Sequence, residues 1–262
     1  MKKINEKSGK GSAGKIPAVI VSILFTVIAV MILPVLQLKT AGMKCFRGEW
    51  IDVWYEDERE AAEDLFQYAD SQVRGIAEKL GFTEKQNVSI YIYDSQKTMQ
   101  SKKYGWIAPL LGLDWYIGDN IGTNVILTSP ANPGKEHSYN SVKEALPHEI
   151  VHAYISVINP KIALWLTEGC ALYLTNGEDF HREYLGKYGI PSYEETGTGN
   201  PLVFAKCNGY QFAHTYIEYL DRTYGWDRVM ALLKTEDYEA VFGKTRREIY
   251  DEWKRYLEDG EM

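Results

Sequence analysis

Alternation of apolar and polar positions marks three strands in the first half of the chain. In EWIDVWYE (49–56), Ile51, Val53 and Tyr55 fall on one face. VSIYIY (88–93) repeats the pattern with Val88, Ile90 and Ile92, and NVILTS (124–129) makes a third short strand. A period of two over four to eight residues is the mark of a half-buried strand. Between the first two, residues 57–80 change period. Leu65, Ala69, Val73, Ile76 and Leu80 form one helical stripe, and Gly81 is placed to close it. Residues 94–123 are rich in Gly, Tyr and Trp without a clear period, and 130–140 read as a polar loop.

From residue 141 onward the pattern is helical. SVKE (141–144) has the spacing of a capping box. Pro147 kinks a helix interior, so the helix is expected to begin either there or at the box, and to end at Asn159-Pro160. A second helix covers 163–174, closed by Asn176-Gly177. Further helices span 210–224 and 226–234. TRRE (245–248) caps a last one with Ile249, Trp253 and Leu257 on one face. Strands first and helices after predict an α+β fold, with a small, mostly antiparallel sheet followed by a helical subdomain.

One stretch belongs to neither class. Residues 16–38 carry no charge, and Lys2, Lys3, Lys7, Lys10 and Lys15 precede them against the single acid Glu6. A helix of this length spans roughly 30 Å of hydrocarbon. The lysine bias predicts a single-pass anchor in the cell membrane, with the N-terminus cytoplasmic and the remainder extracellular. The alternative is secretion after signal cleavage, but a signal peptide has a shorter apolar core of about 7–15 residues. The expected organisation is a basic tail (1–15), a transmembrane anchor (16–38), a linker (39–47) and one folded domain (48–258).

Charge and cysteines narrow the partners. Residues 1–44 hold seven of the 29 basic residues and one of the 36 acids, leaving 45–262 at a net −13. An acidic domain without a basic cluster argues against nucleic acid. Cys45, Cys170 and Cys207 make an odd number, so no disulfide framework follows; Cys170–Cys207 and free thiols both remain open.

The candidate chemistry lies in ALPHEIVHAYISV (145–157). Positions four apart share a helix face, so His148 and His152 can turn two imidazoles to one ion. Glu149 is rotated about 100° from His148, on the same side but off the ion's axis, where it can accept a proton from water. This is the spacing of a hydrolytic zinc site. A helix histidine is ordinarily just a polar residue with a satisfied partner, so a third ligand decides the matter. Glu168 stands in WLTEGCALYL (165–174) among apolar neighbours, where a buried carboxylate needs a charged partner. A first-turn acid favoured by the helix dipole is the plainer account of Glu168.

HEIVH (148–152) followed by WLTEG (165–169) is similar to the gluzincin metallopeptidases, the peptidase MA-like group. The resemblance extends over roughly 48–258 and includes the tail FGKTRREIYDEWKRYL (242–257). It implies a zincin-like helical subdomain with the metal site between it and the sheet. His148, His152 and Glu168 would be the ligands of one zinc ion per chain, with Glu149 as general base. Family members of the aminopeptidase type also carry a tyrosine at the head of a helix reading Tyr, then Leu ten residues on. YQFAHTYIEYL places Tyr210 there, with His214 and Tyr216 as alternatives on the same helix.

Two departures matter. The strand near NVILTS has no acid to hold a substrate amine, which points to an endopeptidase or a narrow-specificity enzyme. Leu172 stands where some members place an acid four residues after the glutamate ligand. The function expected is therefore a membrane-anchored, extracellular, zinc-dependent peptidase acting on a peptide or protein substrate, with NVILTS pairing with that substrate. The alternative is a catalytically silent interaction module on the same fold. Trp106, Trp115 and Tyr116 are candidate pocket walls, although core packing is the ordinary fate of such aromatics.

Overall fold

The computed structural model describes residues 15–86, 88–110, 112–175 and 180–260. Positions 1–14 of the expected basic tail and the Asn176-Gly177 helix stop lie outside them. The fold is α+β around a five-stranded sheet of order β1-β2-β3-β5-β4. The strands are β1 (Lys44–Arg47), β2 (Asp52–Tyr55), β3 (Ser89–Tyr93), β4 (Gly118–Ile121) and β5 (Asn124–Thr128). β1 lies within the stretch expected as linker.

The sheet is mixed, which corrects the expectation of a mostly antiparallel one. β2–β3 and β3–β5 run parallel; the outer pairs β1–β2 and β4–β5 run antiparallel. The cause is connectivity. A helix, α2 (Arg59–Lys79), separates β2 from β3, and α3 (Gln96–Tyr104) lies between β3 and the β4–β5 hairpin. Crossovers of that length return a strand in the same direction, whereas tight turns reverse it. Gly122, with φ +58°, makes the tight β4–β5 turn.

The alternating strands bury the residues their pattern selected. Ile51, Val53, Ile90 and Ile92 pack with Leu65, Ala69 and Val73 of α2 in the main core. On the other face Tyr93 and Ile126 meet Met99 of α3 in a smaller cluster. α3 escaped the pattern because its inward side is polar. Gln100 Nε2 donates to the peptide oxygens of Leu113 (2.6 Å) and Tyr116 (3.2 Å). Such a side can be buried because its polar groups are paired.

The apolar N-terminal stretch forms α1 (Lys15–Leu36), but among the described residues no helix is long and apolar enough to cross a membrane. This overturns the single-pass anchor and the extracellular placement that rested on it. The end of the stretch is committed to the folded domain. Pro34 is buried. Beyond it the peptide oxygens of Gln37 and Leu38 accept from Lys102 Nζ (2.7 Å) and Tyr93 OH (2.6 Å).

The helices behind the sheet carry the site. α4 (Tyr139–Ile158) begins before both expected starts, because Ser138 is its cap. Ser138 Oγ accepts from the Ser141 N–H at 3.1 Å, and Ser141 Oγ accepts from the Ser138 N–H at 2.9 Å. With Val142 and Leu146 buried on either turn, the helix runs through Pro147 rather than starting there. α5 (Leu164–Leu174) follows the Asn159-Pro160 turn and packs against α4. α6 (Glu183–Tyr188), α7 (Pro201–Lys206), α8 (Gly209–Tyr224), α9 (Trp226–Thr235), α10 (Tyr238–Phe242) and α11 (Arg246–Asp259) complete the chain. The 245–248 box forms as expected, with Thr245 and Glu248 exchanging bonds at 3.2 and 2.8 Å.

Candidate metal centre

α4 lies beside the β4–β5 hairpin, so its histidine face looks into a cleft of about 630 Å³ next to the sheet edge. α5 brings Glu168 to the same point. His148 Nε2 is 3.3 Å from Glu168 Oε2, and His152 Nε2 is 3.5 Å from Glu168 Oε1. The two Nε2 atoms are 2.9 Å apart. The three side chains present ligand atoms within 4.8 Å of one another and can hold a metal ion.

α5 reaches this position through a glycine. A Cβ on Gly169 would stand 2.5 Å from the Ala213 carbonyl oxygen of α8. Only a residue without a side chain lets the two helices close to that distance, and Glu168 is its immediate neighbour.

Two observations test whether a cation fits. Glu168 Oε2 is a buried atom without a hydrogen bond. An anionic oxygen left so is costly unless a positive charge faces it. His152 Nδ1 lies 2.9 Å from Thr167 Oγ1. When Nδ1 carries the proton and donates to that hydroxyl, the Nε2 lone pair is left facing the cluster. Two imidazoles opposed in this way repel unless a proton or a cation stands between them. Two nitrogens and a carboxylate form a donor set that suits a divalent transition metal.

The electrostatics of the carboxylates divide. Burial works to raise Glu168, but the two histidines beside it, His152 first, outweigh it and hold the carboxyl well below the usual range. Glu149 is pushed up to about 8 by desolvation in the cleft. His148 opposes that rise, Asp119 and Glu168 add to it, and Lys103 pulls it back. Glu149 sits against β4: a Cβ on Gly118 would lie 3.5 Å from its Cγ.

Tyr210 opens α8 and lines the same cleft. Its ring stands edge-on to Phe204 at 4.9 Å. Burial, then Glu168, Glu149 and Asp119, push its phenol above the ordinary tyrosine value, so it stays a proton donor. The alternatives on α8 do not line the cleft. Tyr216 is buried and its hydroxyl meets that of Tyr238 at 3.3 Å; His214 is buried, its ring tilted to that of Phe180 at 6.4 Å. Of the candidate walls, Trp115 and Tyr116 line the cleft and Trp106 does not.

NVILTS does not have the free edge expected of it. As β5 it is bonded on both sides, by β3 and β4, so β4 is the edge on that side of the sheet. The Thr128 N–H donates to Ile117 O at 2.9 Å. Alternation along an antiparallel pair then turns the peptide groups of Gly118 and Asn120 away from β5. Those of Asn120 are engaged: its N–H donates to Asp119 Oδ1 (2.6 Å), and its oxygen accepts from Lys103 Nζ (3.0 Å).

Sequence reasoning passed over Thr167, Asp119, Lys103 and Tyr116 as a working group. Lys103 Nζ stands 2.9 Å from Asp119 Oδ2, and Tyr116 OH donates to the same oxygen. The Ile121-Gly122-Thr123-Asn124 turn was the available signal for β4, and Thr167 was inside the WLTEG stretch itself. Cys45, Cys170 and Cys207 are all free thiols. Against known proteins the chain matches no family model and no curated sequence.

Proposed function

We propose that this chain is a zinc-dependent peptidase of endopeptidase type. The observation that carries the reading is the convergence of His148, His152 and Glu168 on one point, with Glu149 beside them and an open strand edge along the same cleft. Zinc held by these three residues would supply Lewis-acid polarisation of the substrate carbonyl and acidify water at the site. Every other part of the reaction falls to the chain.

Gly118, with outward peptide groups and no side chain between it and Glu149, is placed to pair with the backbone of an extended substrate. Glu149 takes a proton from the attacking water as the new C–O bond forms. It returns that proton to the amide nitrogen as the C–N bond breaks. Glu149 is thus the base in the first half of this exchange and the acid in the second. The Tyr210 hydroxyl donates to the carbonyl oxygen as negative charge gathers there.

Asp119 bears on the type of peptidase. It is an acid on the edge strand, where a free substrate amine would seek a partner. Its carboxylate is already engaged by Lys103, Tyr116 and the Asn120 N–H. That supports cleavage within a chain over removal of its first residue.

The test is metal content and hydrolysis of casein by the whole protein beside Glu149→Gln. About one zinc per chain in both, with hydrolysis only in the parent, is the expected result. Hydrolysis persisting in Glu149→Gln would sink the mechanism, and failure of the parent to retain zinc would sink the cofactor.

A further inference from the structure

Lys103 and Asp119 reach the cleft from different elements, and their contact has the make-up of a bound ligand in its site. Lys103 stands in the last turn of α3 and extends to the edge strand β4. Its Nζ is 2.9 Å from Asp119 Oδ2 and donates to the Asn120 peptide oxygen at 3.0 Å. An ammonium group is a donor only, and a carboxylate with a carbonyl oxygen beside it suits that chemistry.

The receiving half of this contact is held without Lys103. Tyr116 OH donates to Asp119 Oδ2, and the Asn120 N–H donates to Oδ1 at 2.6 Å. Tyr116 is buried, with the Tyr104 ring tilted against it at 5.5 Å. Asn120 is fixed by its own amide, which donates to Ser156 Oγ of α4 at 3.0 Å and to the Gly122 oxygen at 2.9 Å. The carboxylate and the peptide oxygen therefore keep their places when the ammonium is taken away. A site formed in advance binds at a lower entropic cost.

The pair also faces the substrate side. Lys103, Tyr116, Asp119 and Asn120 all line the cleft that holds His148, Glu149 and His152. The Lys103 side chain is 34% exposed and that of Asp119 23%, so a group entering the cleft can reach them. An ion pair this exposed adds little to stability, which makes bracing a weak account of it. The neighbouring lysine is the brace: Lys102 is buried and donates to the Gln37 peptide oxygen at 2.7 Å.

We infer that Asp119 and the Asn120 peptide oxygen form an ammonium subsite of the cleft, that Lys103 fills it from within the chain, and that Lys103 is thereby the residue that refuses cationic substrate groups. A substrate lysine or free amine arriving there meets a carboxylate already neutralised and a like charge in front of it, the repulsive element of specificity. A neutral group meets no such opposition. The subsite rests on the peptidase reading for turnover but not for binding.

Lys103→Ala deletes three methylenes and the ammonium, which are the atoms of n-propylammonium. Melting of the whole protein with that ion is the first measurement. Against sodium at equal ionic strength, n-propylammonium should raise the melting temperature of Lys103→Ala and leave the parent and Lys103→Ala/Asp119→Asn unmoved. The second measurement titrates zinc-loaded Glu149→Gln protein, with and without Lys103→Ala, by calorimetry. The peptides are pairs that differ only in lysine or Nε-acetyllysine at one position, moved along the sequence. With Lys103→Ala the lysine peptide should bind about tenfold or more tighter than its acetylated twin at one position, and n-propylammonium should cancel the gain. With Lys103 in place no position should favour lysine. Lys103→Ser repeats both measurements, so that the result does not hang on one variant's folding. Absence of either response in both variants, or a response that survives Asp119→Asn, overturns the inference. Both responses with no cleavage of any peptide by the parent support the inference and reject the peptidase reading. Cleavage by the parent without these responses rejects the inference alone.

Discussion

The Nδ1 atom of His152 and the hydroxyl of Thr167 lie 2.9 Å apart, joining the two helices of the candidate metal centre by a bond that involves no metal. The contact sets which ring nitrogen of His152 faces Glu168. Outer partners of this kind are worth about 10–100-fold in metal affinity. Thr167→Val keeps the shape and removes the acceptor. Its zinc affinity, measured by competition with a chromophoric chelator, should fall by that factor; an unchanged affinity would assign the bond to packing alone.

Glu168 should couple the metal to folding. A ligand that binds only the native state adds about 2.7 kcal/mol at a hundred times its dissociation constant. Melting curves of the parent with and without zinc should separate accordingly, while Glu168→Gln should show a much smaller separation. An equal zinc-induced rise in both proteins would remove Glu168 from the ligand set.

Gly169 should be intolerant of even one methyl group. The added Cβ meets backbone, the Ala213 oxygen at 2.5 Å, and not a flexible side chain that can move aside. Gly169→Ala should cost about 1–3 kcal/mol in urea unfolding through overpacking. Zinc affinity should fall with it, because α5 carries both Gly169 and Glu168. Parent-like stability would show that α5 and α8 have room to part.

Away from the centre, Glu252 predicts a pH dependence. Its carboxylate accepts from Lys244 (2.7 Å), Tyr224 (2.8 Å) and Tyr219 (3.0 Å). Burial tends to raise its pKa, but these bonds outweigh it and leave the value lowered in the native state. A lowered native value means the contribution is whole above the unfolded glutamate value of about 4.3 and is lost as pH falls through the native one. In urea titrations from pH 6 down to pH 3, Glu252→Gln should start less stable and lose less on acidification. Parallel curves would assign the acid sensitivity to other carboxylates.

Much of this arrangement was legible before any fold was known, and the parts that were legible are local. The His148–His152 spacing works because residues four apart share a helix face in any helix. The 245–248 box closes within four residues, and the Ile51–Val53–Tyr55 alternation needs only an extended backbone. Where two local signals competed, as at 138–147, the nearer hydrogen bonds prevailed: Ser138 and Ser141 cap α4, and Pro147 is absorbed by the packing of Val142 and Leu146.

What the sequence by itself determined is thus the set of chemical groups and their short-range spacing: two histidines, a glutamate between them, and a second glutamate on the next helix. Tertiary structure decided which groups meet across long separations. It made the inner strands parallel by routing helices between them, left β4 and not β5 at the edge, and tied the end of α1 to Tyr93 and Lys102. It also set Lys103 against Asp119 beside Glu149. The physical reason is that strand order, edge exposure and charge pairing are properties of contacts between residues far apart in the chain. No periodicity within a short window encodes them.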